Sequence, residues 1–329
     1  MPRRSFLTST LLGAASLGAG FLSGSRPAFA VGPALNAGDV AVLKFLAAAE
    51  LVECDLWQQY SELATGNPSF RAALQLIDHA LPDYVNGDFE DECSHAALIN
   101  AFLVSRGEAA VNLDAFRTLP SVPLRGAMNI GRLTNLTKLT IDTSYYNRYR
   151  GTGNPDLGDT FPQVVTITNQ RAVPASNRDP DVRAIAQTAA FHFAAIEQGG
   201  SSLYTALIGK ATDPDVLAIL AAIGPTEVYH FSVFQTSLEN IVPLRTKTRP
   251  VFPNLARDPK RALTFPHPCH FLNASLPWCS VIRPSNLNLA GAVAAATGLV
   301  GSGLFQGQSQ GFLNAVVALA TAADAAQRV

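Results

Sequence analysis

Two Glu-x-x-His pairs constrain this 329-residue chain more than any other feature: Glu92 with His95, and Glu227 with His230. In a helix, residues i and i+3 project from one face, so both side chains of a pair can hold one metal ion. Nine Glu and six His scattered at random over 329 residues would give about 0.16 such pairs. Both pairs also fall on apolar helical stripes, where a lone carboxylate is costly unless it is paired or metal-bound.

Spacing predicts four long helices. The first runs from about Asp39 to Ala64, before Gly66, with the stripe Leu43, Leu46, Glu50, Glu53, Trp57, Tyr60, Ala64. The second runs from Asp83 to Ser105, with the stripe Val85, Phe89, Glu92, His95/Ala96, Ile99, Leu103. The third opens at Asp179-Pro180-Asp181 and carries Phe193, Glu197, Gly200, Tyr204 and Leu207. The fourth opens with the same phrase at Asp213-Pro214-Asp215 and extends to Leu238, with a kink or restart expected at Gly224-Pro225. About 72 residues separate helices two and three, and a link of that length should carry its own structure. Thr137–Thr143 and Val164–Thr168 are candidate paired strands within it. Residues 243–285 are Pro-rich and read as an irregular wrap; the Ala/Gly/Leu-rich end contains a predicted helix over Gly311–Gln327, packed on the bundle or on another subunit, with the bundle preferred.

Each Glu-x-x-His helix follows a helix with a Glu on its stripe: Glu50 before Glu92, and Glu197 before Glu227. Each of those Glu residues has an aromatic seven positions on, Trp57 and Tyr204. The order Glu, Glu-x-x-His, long link, Glu, Glu-x-x-His matches the ligand set of dinuclear carboxylate sites built between four helices. On these residues the chain resembles the ferritin-like superfamily over 39–106 and 179–240. Ala49-Glu50-Leu51-Val52-Glu53 is similar to the first-helix ligand region of bacterioferritins and of exported ferritin-like proteins. The plan as a whole is similar to the desiccation-related exported group.

The resemblance implies an all-α fold: a ferritin-like four-helix bundle over 31–242 with a long crossover at about 107–178, then a Pro-rich wrap and helical extension over 243–329. It implies two iron or manganese ions, bridged by Glu92 and Glu227. Glu50 with His95 would complete one ion and Glu197 with His230 the other. Oxygen-rich donors with one imidazole per ion favour these metals over thiolate-preferring ones. Glu53 stays open as an extra ligand, a partner for an imidazole, or the ligand in place of Glu50, with Glu50 preferred for the matching aromatic spacing. Gly199-Gly200 either makes room at the site, allows a bulge or is tolerated packing, and Gly224-Pro225 could displace Glu227. Trp57 and Tyr204 read first as core; Tyr204 is also a candidate redox neighbour of the metals. His192 reads as structural, and His79 has no assigned role.

Residues 1–30 read as an export address. Arg3-Arg4-Ser5-Phe6-Leu7 has the form of a twin-arginine signal, an apolar stretch follows, and Ala28-Phe29-Ala30 is an A-x-A cleavage site. The Gly-broken stretch is too short to span a bilayer, so no transmembrane segment is expected in the mature chain. The expected destination is periplasmic or extracellular, where disulfides persist. Cys269 and Cys279, nine residues apart in the Pro-rich region, are the expected pair; Cys54 and Cys93 are either a second bridge or two buried thiols. His267-Pro-Cys-His270 reads as structural. Loss of three arginines leaves a net charge near −4, with no basic field for nucleic acid. Hydrophobic residues at 48% against 15% charged fit a core-rich globular chain.

Three functions follow as expectations. The first is metal-dependent redox activity, a ferroxidase or a consumer of O2 or peroxide, in stress protection. The second is a non-catalytic protective or binding protein with a structural metal. The third is a dinuclear oxygenase acting on an organic substrate, which requires an apolar pocket reaching the metals, with Gly199-Gly200 as the opening. A homo-oligomer is compatible with all three; a hollow storage shell is disfavoured by the long link and extension.

Overall fold

The computed structural model describes residues 32–148, 150, 162–244, 250–259, 261, 265–282 and 291–329. The expected export address, residues 1–30, lies outside them. The described chain is mostly helical, as expected. Its long helices are α1 (Ala37–Gly66), α3 (Leu81–Ser105), α4 (Val182–Leu207) and α5 (Pro214–Leu238). A short helix that spacing did not reveal, α2 (Pro68–Gln75), begins where the Asn67 side chain accepts from Phe70 N. Helix α1 packs along α3, and α4 along α5, giving two hairpins.

Buried polar groups fix how the hairpins meet. Asn36 caps α1, and Asp39 accepts from the backbone N–H groups of Thr212 and Asp213 at 2.8 and 2.9 Å, tying the start of α1 to the start of α5. Arg106, at the end of α3, donates to Asp213 at 3.4 Å and Asp215 at 2.5 Å. Helix α5 runs without restart through Gly224-Pro225. Gly224 is required there, because a Cβ would come within 2.9 Å of Tyr204 Cβ on the neighbouring helix. The α5 stretch is apolar enough to pass for a membrane span by composition, with a mean hydropathy of 1.4. Glu227 and His230 are nevertheless buried between helices on its inner face.

A buried carboxylate ties the crossover to α1. Asp55 of α1, fully buried, accepts from Leu133 N, Thr134 N and Thr134 Oγ1 at 2.8–3.0 Å and from Arg117 at 2.6 Å. The expected strand pair forms as β1 (Leu139–Ile141) antiparallel to β2 (Ile167–Gln170), with Ile141 opposite Ile167. At the end of α1, Gly66 lies against Gly126, whose φ is +96°; a Cβ on Gly66 would sit 2.4 Å from the Gly126 backbone. The C-terminal region forms α6 (Ala292–Gly301) and α7 (Gln310–Ala325), and α7 packs against α1 as expected.

One cysteine expectation is corrected. The disulfide joins Cys54 to Cys93 (S–S 1.96 Å, Cα–Cα 4.9 Å), linking α1 to α3. Cys269 and Cys279 are not bonded to each other. Their backbones exchange hydrogen bonds of 2.9 and 3.0 Å, but the side chains face different surroundings: Cys269 is buried, whereas Cys279 is exposed with Sγ 3.9 Å from Ser280 O.

Candidate metal centre

Four helices bring five carboxylates and two imidazoles together. Glu50, Glu92, His95 and Glu227 form one group; Asp88, Glu92, Glu197 and His230 form the other. Within each, one ligand atom per residue lies within 4.8 Å of all the rest, and every member is buried. Both groups could hold a metal ion.

Each imidazole nitrogen faces more carboxylate oxygens than it can bond. His95 Nδ1 is 3.3 Å from Glu50 Oε2, 3.3 Å from Glu92 Oε2 and 3.4 Å from Glu227 Oε1. His230 Nδ1 is 2.8 Å from Asp88 Oδ1, 3.1 Å from Glu92 Oε1 and 3.2 Å from Glu197 Oε2. A ring nitrogen carries one proton at most, so it can satisfy one of three oxygens. Glu50 Oε2, Glu92 Oε1 and both Glu227 oxygens are buried without a well-formed hydrogen bond. Glu92 turns one oxygen to each group, the placement a bridging carboxylate needs. Glu227, expected as a second bridge, falls in the first group alone; the second group has Asp88 instead.

The donors that aim these carboxylates are crossed between the hairpins. Trp57 of α1 donates from Nε1 to Glu197 Oε1 of α4 at 2.9 Å. Tyr204 of α4 donates its hydroxyl to Glu50 Oε1 of α1. The aromatics seven residues after Glu50 and Glu197 therefore serve each other's carboxylate as well as packing in the core. On α3, Asp91 lies 3.2 Å from His230 Nε2, so that nitrogen can donate outward and leave the Nδ1 lone pair facing the carboxylates.

Electrostatics follow from crowding. Burial, then the charges of Glu227 and Glu50, push Glu92 well above the usual carboxylate range. Burial, then Asp88, does the same to Glu197. Burial raises Glu227 to about 7, against a lowering effect of His95. Burial opposes charge on His95, yet hydrogen bonds to Glu227, Glu50 and Glu92 carry it up to about 12. His230 moves in the same direction for the same reasons, with Asp88 its foremost partner. Without metal, the cluster holds its charge by keeping protons.

Glu50 and not Glu53 enters the cluster. Glu53 lines an adjacent cavity, where burial and then the charges of Glu227, Glu92, Glu50 and Glu197 raise its carboxyl well above normal. Asp88 escaped the sequence reading, although the signal was present. A strict alternation of three and four from Val85 passes through 88, 92 and 95, whereas Phe89 drew the stripe one position aside. His192, expected to be structural, bonds the Tyr60 hydroxyl through Nδ1 at 2.7 Å, and burial lowers it to about 3.

Comparison with known proteins gives no family. No family model, curated protein or solved structure matches the chain.

Proposed function

We propose that this chain is an exported ferritin-like protein that holds two iron or manganese ions and performs metal-dependent redox chemistry, as a ferroxidase or by consuming O2 or peroxide, in stress protection. The observation that carries the reading is the convergence of three carboxylate oxygens on each of two imidazole nitrogens. The donor set fits such ions: oxygen-rich, one imidazole each, no thiolate. Five carboxylates and two neutral imidazoles would be balanced by two divalent ions to within one charge. When bound, such a pair supplies two-electron chemistry with O2 or peroxide.

In this reading Glu92 spans the two positions. Glu50, His95 and Glu227 serve one, and Asp88, Glu197 and His230 the other. Trp57 and Tyr204 hold Glu197 and Glu50 in place by hydrogen bonds that survive when the carboxylates are ionised. Asp91 fixes the His230 ring. The apolar core around Trp57, Phe193 and Phe234 keeps water from one flank of the cluster.

Elemental analysis of the purified exported protein, beside a variant carrying Glu92→Ala and Glu227→Ala, tests the reading. About two iron or manganese ions per chain, lost in the variant, are expected for a dinuclear site. Less than a tenth of an ion in both proteins overturns it. Ions without turnover of Fe(II) with O2 or peroxide would leave a structural metal instead.

A glycine pair refines the test. A Cβ on Gly200 would lie 2.3 Å from Glu227 Oε2, whereas one on Gly199 meets nothing within 4 Å. Both Gly→Ala changes should favour the helix by about 1 kcal/mol. Gly200→Ala is expected to displace Glu227 and lose at least half of the metal; Gly199→Ala should keep it. Equal metal in both variants would mean that Glu227 holds no ion.

A further inference from the structure

Beside the metal centre lies a cavity of about 520 Å³. That falls within the roughly 300–1,000 Å³ of small-molecule sites. Its floor is helix surface from α1 and α4, including Val52, Glu53, Gly199 and Gly200. Its roof comes from parts of the chain the cluster does not use. Ile141 of β1 and Ile167 of β2 close one side, and Ala295, Leu299, Phe305 and Val316 of the C-terminal region close another.

Two features say what the chamber accepts. Its walls are mainly aliphatic and aromatic, and apolar cavities take up apolar guests more readily than water. Among the described residues lining it there is no Lys or Arg, while Glu53 and Asp142 both do line it. His192 lines it too, but burial lowers that imidazole to about 3 and keeps it neutral, so an anionic headgroup would find no counter-charge and would meet the Asp142 carboxylate. Glu53 marks the inner end: it lines the chamber and feels the charges of Glu50, Glu92, Glu197 and Glu227. Gly200 marks the same end, where an added Cβ would lie 2.3 Å from Glu227 Oε2.

We propose that this chamber binds an uncharged, mainly aliphatic organic molecule, with one end at Glu53 and Gly199-Gly200 beside the carboxylate cluster. Its standing as the molecule acted upon rests on the metal-centre reading; its binding does not.

The probe is the neutral dye N-phenyl-1-naphthylamine, whose fluorescence rises in apolar surroundings, titrated into the purified protein and displaced by 1-dodecanol or by dodecanoate. Saturable binding is expected, with dodecanol at least tenfold more effective than dodecanoate of the same chain length. Ala295→Trp on α6 and Val316→Phe on α7 fill the roof from two sides. Each should weaken the dye at least tenfold with helical content and metal content unchanged. If one variant misfolds, the other still decides. No dye binding, dodecanoate equal to dodecanol, or full affinity in a folded roof variant overturns the proposal. Metal is measured on the same samples, so the two readings fail separately. Dye binding without metal leaves the chamber and removes its chemistry; metal without dye binding does the reverse.

Discussion

Replacing Cys54 and Cys93 together by Ala should cost about 4 kcal/mol of stability. The bond closes a loop with a sequence separation of 39 residues, and the loss of loop-closure entropy in the unfolded chain at that length is about this size. The cost should appear in guanidinium unfolding as a lower midpoint and a lower extrapolated free energy. A local consequence is expected beside the global one. Cys93 follows Glu92 directly and Cys54 stands one turn after Glu50, so the bond clamps α1 to α3 at the cluster. The reduced protein should therefore release metal to a chelator faster than the oxidised one. A double variant as stable as the parent would show that packing between α1 and α3 already holds the helices together unaided.

The second large effect is a pH dependence that reverses with metal. In the metal-free protein Glu227 is raised from 4.5 to about 7. An acid with a raised folded pKa carries no penalty below its unfolded value and an increasing one as pH climbs towards the folded value. For Glu227 alone the penalty is on the order of 3 kcal/mol above pH 7. Glu92 and Glu197 are raised too and act in the same direction. His95 and His230, also raised, contribute stability that is complete below about pH 6.5 and lost as pH rises towards their folded values. Metal-free protein should thus be most stable near pH 5 and lose stability through pH 7. Metal binding displaces the same protons, so affinity should rise over that interval. Unfolding with and without EDTA at pH 5 and pH 7.5 checks this. A small effect of chelator at pH 5 and a large one at pH 7.5 are expected. A metal-free protein equally stable at both would mean that the cluster is not buried as the structure has it.

The residues legible in the sequence were those whose chemistry conflicts with their position. Glu50, Glu92, Glu197 and Glu227 stand on apolar stripes where carboxylates are costly, and spacing alone brings them out. Asp88 satisfies the same criterion and was hidden only by a larger neighbour, Phe89. The crossed bonds of Trp57 and Tyr204 were half visible: the shared spacing of seven could be read, but which carboxylate each serves depends on how the hairpins dock. The cavity was not legible. Its roof joins the β1–β2 pair to the α6–α7 pair, which about 400 Å of extended chain separates, and no local period records their meeting. The cysteine expectation failed for the opposite reason. Nearness in sequence favoured Cys269 with Cys279, whereas helix packing set Cys54 against Cys93.

The exchange of donors between hairpins makes the centre indivisible. Glu197 is aimed by a residue 140 positions earlier, and Glu50 by one 154 positions later. Each half thus supplies one carboxylate whose indole or phenol donor stands on the other half, and a partly docked intermediate would leave those two oxygens undirected. On the proposed reading, retention of an ion would act as a proofreading step on the finished tertiary structure, sensitive to the docking of both halves.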